Sequence, residues 1–265
     1  MNKINIINFL FIVIFWIGNS NANSLISYQS VYEIELDNER VVKNTFGTPY
    51  IKQANGQLLL DWFDNCSSWV SNQRMNLKFI NSSGVGTLSD INYSLNEKYD
   101  GSEMTFALQV KENNMIKQRI NGKAEKNKKV KVKLFDNREK ELEFSGDIIF
   151  PHQHLKSIIS NIKDDKKIVS HRVYEGSIPE KFLNVSTFIN NKTVKLEKKL
   201  LTAGISNKFW IVRMAYYDEN KQTPEMELTA HINQQGFVSF FKYDYPSYSL
   251  KMKLKKVVLS PTKCN

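Results

Sequence analysis

Apolar and polar residues alternate along most of the chain. Tyr32, Ile34 and Leu36 are interleaved with Glu33 and Glu35, and Met75, Leu77 and Phe79 with Asn76 and Lys78. The same period recurs at Phe106, Leu108 and Val110, at Val130, Val132 and Leu134, at Met226 to Ile232, and from Tyr248 to Leu254. In an extended chain successive side chains point to opposite faces, so this pattern predicts antiparallel strands with one buried and one solvated face. Turn-prone clusters separate them: Asn81-Ser82-Ser83-Gly84, Tyr99-Asp100-Gly101, Asn113-Asn114, Asp136-Asn137, Asn190-Asn191 and Asp218-Glu219-Asn220. One stretch has a different period. After Pro151, the residues Leu155, Ile158, Ile159 and Ile162 fall at helical spacing, opposite Lys156, Asn161 and Lys163. The spacing predicts one amphipathic helix over about 152–163, laid over a sheet face or plugging an open end. The fold class expected is all-β: a long antiparallel sheet, closed or coiled to limit its edges, with this one helix.

The first residues predict a compartment. Met1-Asn2-Lys3 precedes an apolar run from Ile4 to Ile17, then Gly18 and the small residues Ser20-Asn21-Ala22. A positive start, an apolar stretch and a small-residue site are the order of a cleavable secretory signal. The run is shorter than the roughly 20 residues a membrane span needs. We therefore expect a signal peptide over 1–22 with cleavage near Ala22, and one domain over 23–265, since no linker, repeat or composition step divides the remainder. Cys66 and Cys264 are then a pair in an oxidising compartment, read as a structural bridge. The alternative, a redox-active pair, has against it that neither cysteine sits in a C-x-x-C at a helix start.

Composition narrows the function less. The 265 residues carry 37 Lys+Arg against 27 Asp+Glu, a formal charge of +10, with 41% hydrophobic residues, enough to bury a core. Two cysteines exclude every four-thiolate metal site. Lys251, Lys253 and Lys255 alternate with Leu250, Met252 and Leu254, so they line one strand face, ordinarily a solvated one. A basic exported chain could also be drawn to anionic membrane or wall polymer. No helix-turn-helix, finger or RNA-binding signature argues for nucleic acid. Neither a G-x-S-x-G, S-x-x-K or H-E-x-x-H motif nor a phosphate-cradling glycine loop occurs. His152-Gln153-His154 at a helix start would point its two rings apart, which argues against a metal site. His231 falls on the polar phase of its strand and is expected at the surface. Trp62, Phe63 and Trp69 flank Cys66, and Phe209-Trp210, Tyr216-Tyr217 and Phe240-Phe241 follow. These aromatics either fill the core or line an apolar cavity inside a curved sheet.

Several blocks together resemble a known family. They are Tyr32-Glu33-Ile34-Glu35-Leu36; Gly56-Gln57-Leu58 through Asp61-Trp62-Phe63-Asp64-Asn65-Cys66-Ser67-Ser68-Trp69 to Gln73-Arg74; Phe150-Pro151-His152-Gln153-His154-Leu155; and Tyr174-Glu175-Gly176-Ser177. Trp210-Ile211-Val212-Arg213, Pro224-Glu225-Met226-Glu227-Leu228, Asp244-Tyr245-Pro246-Ser247-Tyr248 and Cys264 complete the series. In this order they resemble the EipB-like cell-envelope integrity proteins of alphaproteobacteria, with Ser68 where that family usually has glycine. The resemblance implies a periplasmic β-spiral closed by a disulfide between Cys66 and Cys264, with a part in envelope integrity and a shape similar to the LolA and LolB lipoprotein carriers. It implies no catalytic residue and no cofactor. The function expected is therefore non-enzymatic: binding of a periplasmic protein or envelope component, or, as the alternative, carriage or sensing of lipid or lipoprotein acyl chains.

Overall fold

The computed structural model of the chain describes residues 25–40, 50–135, 140–261 and 264. The expected leader, residues 1–22, and the Asp136-Asn137 turn lie outside the described residues. The strands are β1 (Tyr28–Leu36), β2 (Ile51–Asp64), β3 (Ser68–Asn81), β4 (Gly86–Lys98), β5 (Glu103–Glu112), β6 (Met115–Lys126), β7 (Val130–Leu134), β8 (Lys140–Phe144) and β9 (Ile148–Ile149). The helix α1 (Pro151–Lys163) follows. After it come β10 (Ile168–Val173), β11 (Leu183–Val194), β12 (Phe209–Tyr217), β13 (Met226–Ile232), β14 (Val238–Asp244) and β15 (Ser249–Leu259).

Alternation becomes burial as expected. In β1 the side chains of Tyr28, Ser30, Tyr32, Ile34 and Leu36 are buried, while Gln29 and Glu33 are exposed. The turns follow residue chemistry: Asn113 and Asn114 take φ of 48° and 66°, the two left-handed positions of a tight hairpin that asparagine tolerates. One expected break is not a turn. Asn190-Asn191 lies inside β11, where the register to β12 shifts between Ile189 and Thr193. The two asparagines are absorbed as a bulge, because strong apolar pairing on either side keeps the strand going.

All fifteen strands form one sheet, in the order β8-β7-β6-β5-β4-β3-β2-β1-β15-β14-β13-β12-β11-β10-β9. The first and last described strands meet in the middle, as the antiparallel pair β1–β15, and the chain's midpoint supplies both edges. Edge β8 and edge β9 are joined by the short link Ser145-Gly146-Asp147, so the sheet must curl until its edges meet. The result is a nearly closed, barrel-like sheet. Side chains rather than ladder bonds cover the seam. Phe144 on β8 packs against Tyr174 and Phe182 at ring-centre distances of 5.5 and 5.9 Å. Lys140 pairs with Glu180 at 3.1 Å, and Arg172 donates to the Ser145 carbonyl at 3.1 Å.

The helix, which starts at Pro151 as the sequence pattern suggests, crosses one end of the barrel. At that end Gly101, in the β4–β5 turn, lies against Gln153, and Gly236, in the β13–β14 turn, lies against Leu155 and Ile159. Both glycines have positive φ, 68° and 78°. Ile158 and Ile162 insert among Val173, Val185, Ile189 and Val212. Two further clusters line the wall. One is built around Tyr28, Tyr32, Phe209 and Phe237, the other around Met104, Phe106, Phe150 and Tyr174.

The basic run on β15 is balanced. Lys253 pairs with Glu35, and Lys255 with Glu33 at 2.6 Å, forming a cross-strand ladder with β1 on the outer face. Lys251 and Lys242 both bond Asp37 at 2.8 Å, and the Asp37 side chain is only 1% exposed.

Candidate functional site

The helix-covered end is densely tied. Asp64, Asn65, Cys66 and Ser67 lead from β2 into β3, and Cys66 itself takes the left-handed φ of 63°. The tight backbone position therefore falls at Cys66 rather than at Ser68. The Asp64 carboxylate accepts the Cys66 amide at 2.8 Å and the Tyr99 hydroxyl. Cys264 meets Cys66 here, with Cα atoms 5.2 Å apart and 198 residues between them in the chain. Ser27 joins the same end, its hydroxyl accepting the Asp64 amide at 3.0 Å and its carbonyl the Ser260 amide at 2.9 Å.

Beneath this tie Trp62, Trp69 and His152 stack, with ring centres 5.5 Å (Trp62–Trp69) and 5.6 Å (Trp69–His152) apart. The neighbouring His154 turns the other way, its Nε2 3.3 Å from the Thr187 hydroxyl. The two rings do point apart. Among the described residues no three His, Cys, Asp or Glu side chains gather as a metal site would require. His231, expected at the surface, is half-buried with its ring 4.7 Å from that of Phe240. An aromatic neighbour on the next strand covers it.

Sequence reasoning missed Glu97. It follows Ile91, Tyr93 and Leu95 on the buried phase of β4, and a charge on an apolar phase is the signal that marks it. Its carboxylate caps α1, accepting the amides of His152 at 2.6 Å and Gln153 at 3.0 Å. These are orphan donors of the first helical turn, and Phe150 at the N-cap has no side-chain oxygen to offer. Burial pushes the Glu97 carboxyl up to about 7, against the lowering pull of those two amides and of Lys156. Burial holds His152 and His154 down to about 4.

Opposite signs of linkage follow. A carboxyl raised in the fold adds stability that is full below its unfolded value, near 4.5, and lost as pH rises through 7. A histidine lowered in the fold adds stability that is lost as pH falls from 6.5 through 4. The Glu97→Gln variant isolates the first. Urea unfolding is expected to place it further below the natural chain at pH 5 than at pH 8, by about 2 kcal/mol. A gap independent of pH would mean that Glu97 titrates like an exposed carboxylate.

The other end of the barrel is different. Met75, Ile91, Tyr93, Val110, Tyr216 and Tyr243 face inward on their strands, packed against the core clusters, yet each remains partly exposed. These inward-facing side chains keep some solvent contact that the core clusters do not. The aromatic rings at this end form a rail. From Tyr32 the ring-centre distances are 5.2 Å to Phe241, 6.3 Å on to Tyr243, 6.4 Å to Tyr245, 4.9 Å to Tyr248 and 5.8 Å to Phe79. Tyr32 is fully buried; Tyr245, in the β14–β15 turn at the open end, is 36% exposed. The rail thus runs from the packed middle of the barrel to the end opposite the helix. Of the two expectations for the aromatics, core filling describes the helix end; at this end the rings pack against one another but stay partly exposed. A separate groove of about 600 Å³ crosses the outer face, lined by Val31, Leu59, Arg74, Asn92, Lys256 and Val258. It is a shallow saddle of mixed polarity, without the rail's continuity.

Fold and site together define a barrel-like β protein with a helix across one end and a run of partly exposed aromatic rings leading to the other. The chain belongs to the EipB-like family, whose model matches residues 19–261. It is also similar to the crystal structure of a β-barrel-like protein of a domain of unknown function from Brucella abortus. The TM-score is 0.82 at 19% identity, over 90% of this chain and 99% of that one, a likeness of fold. No curated protein matches the chain. Among the described residues no helix is long and apolar enough to cross a membrane.

Proposed function

We propose that the chain is a non-enzymatic periplasmic protein that supports cell-envelope integrity by binding an envelope component, and that it binds at the open interior of the barrel. The observation that carries this is the rail from Tyr32 to Phe79: beyond the buried Tyr32, a continuous run of aromatic faces left partly wet on the inner side of the sheet. Such surface is costly to leave unfilled and gains by covering, at about 25 cal/mol per Å² of apolar area. The leader-like first residues and the paired cysteines support the compartment. A carrier or sensor of lipid or lipoprotein acyl chains is the second reading, favoured by the rail's extended, apolar form.

Native mass spectrometry of the chain released from the periplasm without detergent tests interior binding. We expect a near-stoichiometric adduct of lipid mass that is lost on denaturation. A chain free of adducts that instead crosslinks to a periplasmic protein would overturn interior binding in favour of a docking role.

A further inference from the structure

The β10–β11 connection closes the seam of the barrel and also sends one charge inside it. Tyr174 is fully buried, and Gly176, at φ 80°, lies flat against the ring of Phe106 on the inner face of β5. Only a residue without Cβ passes there, since an added carbon would sit 2.6 Å from that ring. The turn thereby carries Glu175 into the interior, where the Tyr93 hydroxyl donates to its backbone carbonyl. The Glu175 carboxylate accepts one bond, from the Ser177 hydroxyl at 2.5 Å, and among the described residues no lysine or arginine pairs with it. Around it stand Tyr93 from β4, Tyr216 from β12, Tyr243 from β14 and Tyr245 from the following turn, all near enough to be influenced by its charge.

We propose that Glu175 and the tyrosines around it form a binding site for an organic ammonium group, with the adjoining aromatic rail taking an apolar chain attached to it. This rests on the interior-binding reading above and names the chemistry of its ligand. A carboxylate without a counter-ion in a desolvated place is unfavourable until a cation arrives. The faces of tyrosine rings attract weakly hydrated organic cations, as in the aromatic cages that hold quaternary ammonium ligands. A metal ion suits the site poorly, because hard cations ask for six or more oxygen ligands and the charge here is a single carboxylate. The chain's overall positive charge opposes approach only weakly, being screened beyond about 8 Å at physiological salt.

Burial raises the Glu175 carboxyl above its ordinary value, and burial followed by the Glu175 charge raises Tyr93 and Tyr216. Burial and then Glu175 push Tyr243 up to about 12. These tyrosines therefore stay neutral at all ordinary pH, and the titrating group among them is the Glu175 carboxyl.

The test is calorimetric titration of the chain with two amphiphiles below their micellar concentrations: decyltrimethylammonium and its neutral near-isostere, decyldimethylphosphine oxide. We expect the ammonium compound to bind about tenfold more tightly at pH 8. The preference should shrink as the pH is lowered and Glu175 takes up a proton, and vanish in Glu175→Gln with binding of the neutral compound unchanged. Equal affinity for both heads, or a preference that survives in the variant, overturns the ammonium site while leaving interior binding intact. If neither compound binds, interior binding itself fails, and this inference with it. The pH dependence in the unsubstituted chain decides the matter if the variant does not fold. Tetramethylammonium alone separates the sources: affinity matching that of the decyl compound assigns the site to a soluble amine, and much weaker affinity assigns it to a lipid head.

Discussion

Replacing Cys264 with serine is expected to lower the stability of the oxidised chain by up to about 5 kcal/mol, the largest single effect available in this fold. The figure comes from loop-closure entropy. A cross-link between residues 198 positions apart removes from the unfolded chain most of its freedom to separate its ends. The link holds the β2–β3 hairpin to the chain's last residues, beside the Trp62–Trp69–His152 stack and the capped start of α1. Without it, Ser260, just after β15, is still held to the plugged end by its bond to Ser27. Fraying should begin there and reach the tryptophans early. Urea unfolding with and without reductant measures the effect, and tryptophan fluorescence should report it at the lower denaturant concentration. Cys66→Ser should match Cys264→Ser, since both delete one bond. Identical midpoints for oxidised and reduced chain would show that the two sulfurs do not brace the fold in solution.

The second large effect is expected at Asp37. Its buried carboxylate receives both Lys242 and Lys251 at 2.8 Å, and the Glu39 amide bonds it at 3.3 Å. Burial alone would raise this carboxyl, but the two ammonium groups outweigh it and hold it at about 2. A carboxyl lowered in the fold adds stability that is present above its unfolded value, near 3.8, and lost as pH falls through 2. At neutral pH that contribution is about 2.5 kcal/mol. Asp37→Ala should cost more, about 3–5 kcal/mol, because it leaves Lys251 facing Lys242 across β14 and β15 without the shared carboxylate, with Asp244 at 3.5 Å from Lys242 as a remaining counter-charge. Restoring neutrality tests the cause. Lys242→Met in the Asp37→Ala background should recover part of the loss in urea unfolding at pH 7. If the double variant is no better than the single one, the damage comes from packing rather than charge.

Much of the wall of this barrel was legible along the chain. Strict alternation at β1, β3, β5, β7, β13 and β15 predicts both strand and buried face, because an extended backbone offers only two sides. Helical spacing from Leu155 to Ile162 marks α1 for the same geometric reason. The break expected at Asn190-Asn191 failed because tertiary pairing with β12 outweighs local turn preference. His231 fell on the polar phase of its strand but is covered by Phe240, and which neighbour stands across a strand is not a local property. Glu97 shows in the sequence only as a charge on an apolar phase, and Glu175 gives no signal of its role. One reads as an acid on a strand and the other as part of a Tyr-Glu-Gly-Ser turn, and neither stretch encodes what it faces.

The amino-acid order alone determined the all-β character, the single amphipathic helix and the resemblance that family membership bears out, since each rests on periodicity or on short blocks of residues. Tertiary structure decided that β1 pairs with β15, that the chain's midpoint supplies both edges of the sheet, and that the helix covers one end. It also decided that a glutamate caps the helix, and that another enters the interior among tyrosines. The physical reason is range: backbone alternation is set by neighbours in sequence, whereas burial of charge and the filling or emptiness of an interior depend on side chains brought together from opposite ends of the chain.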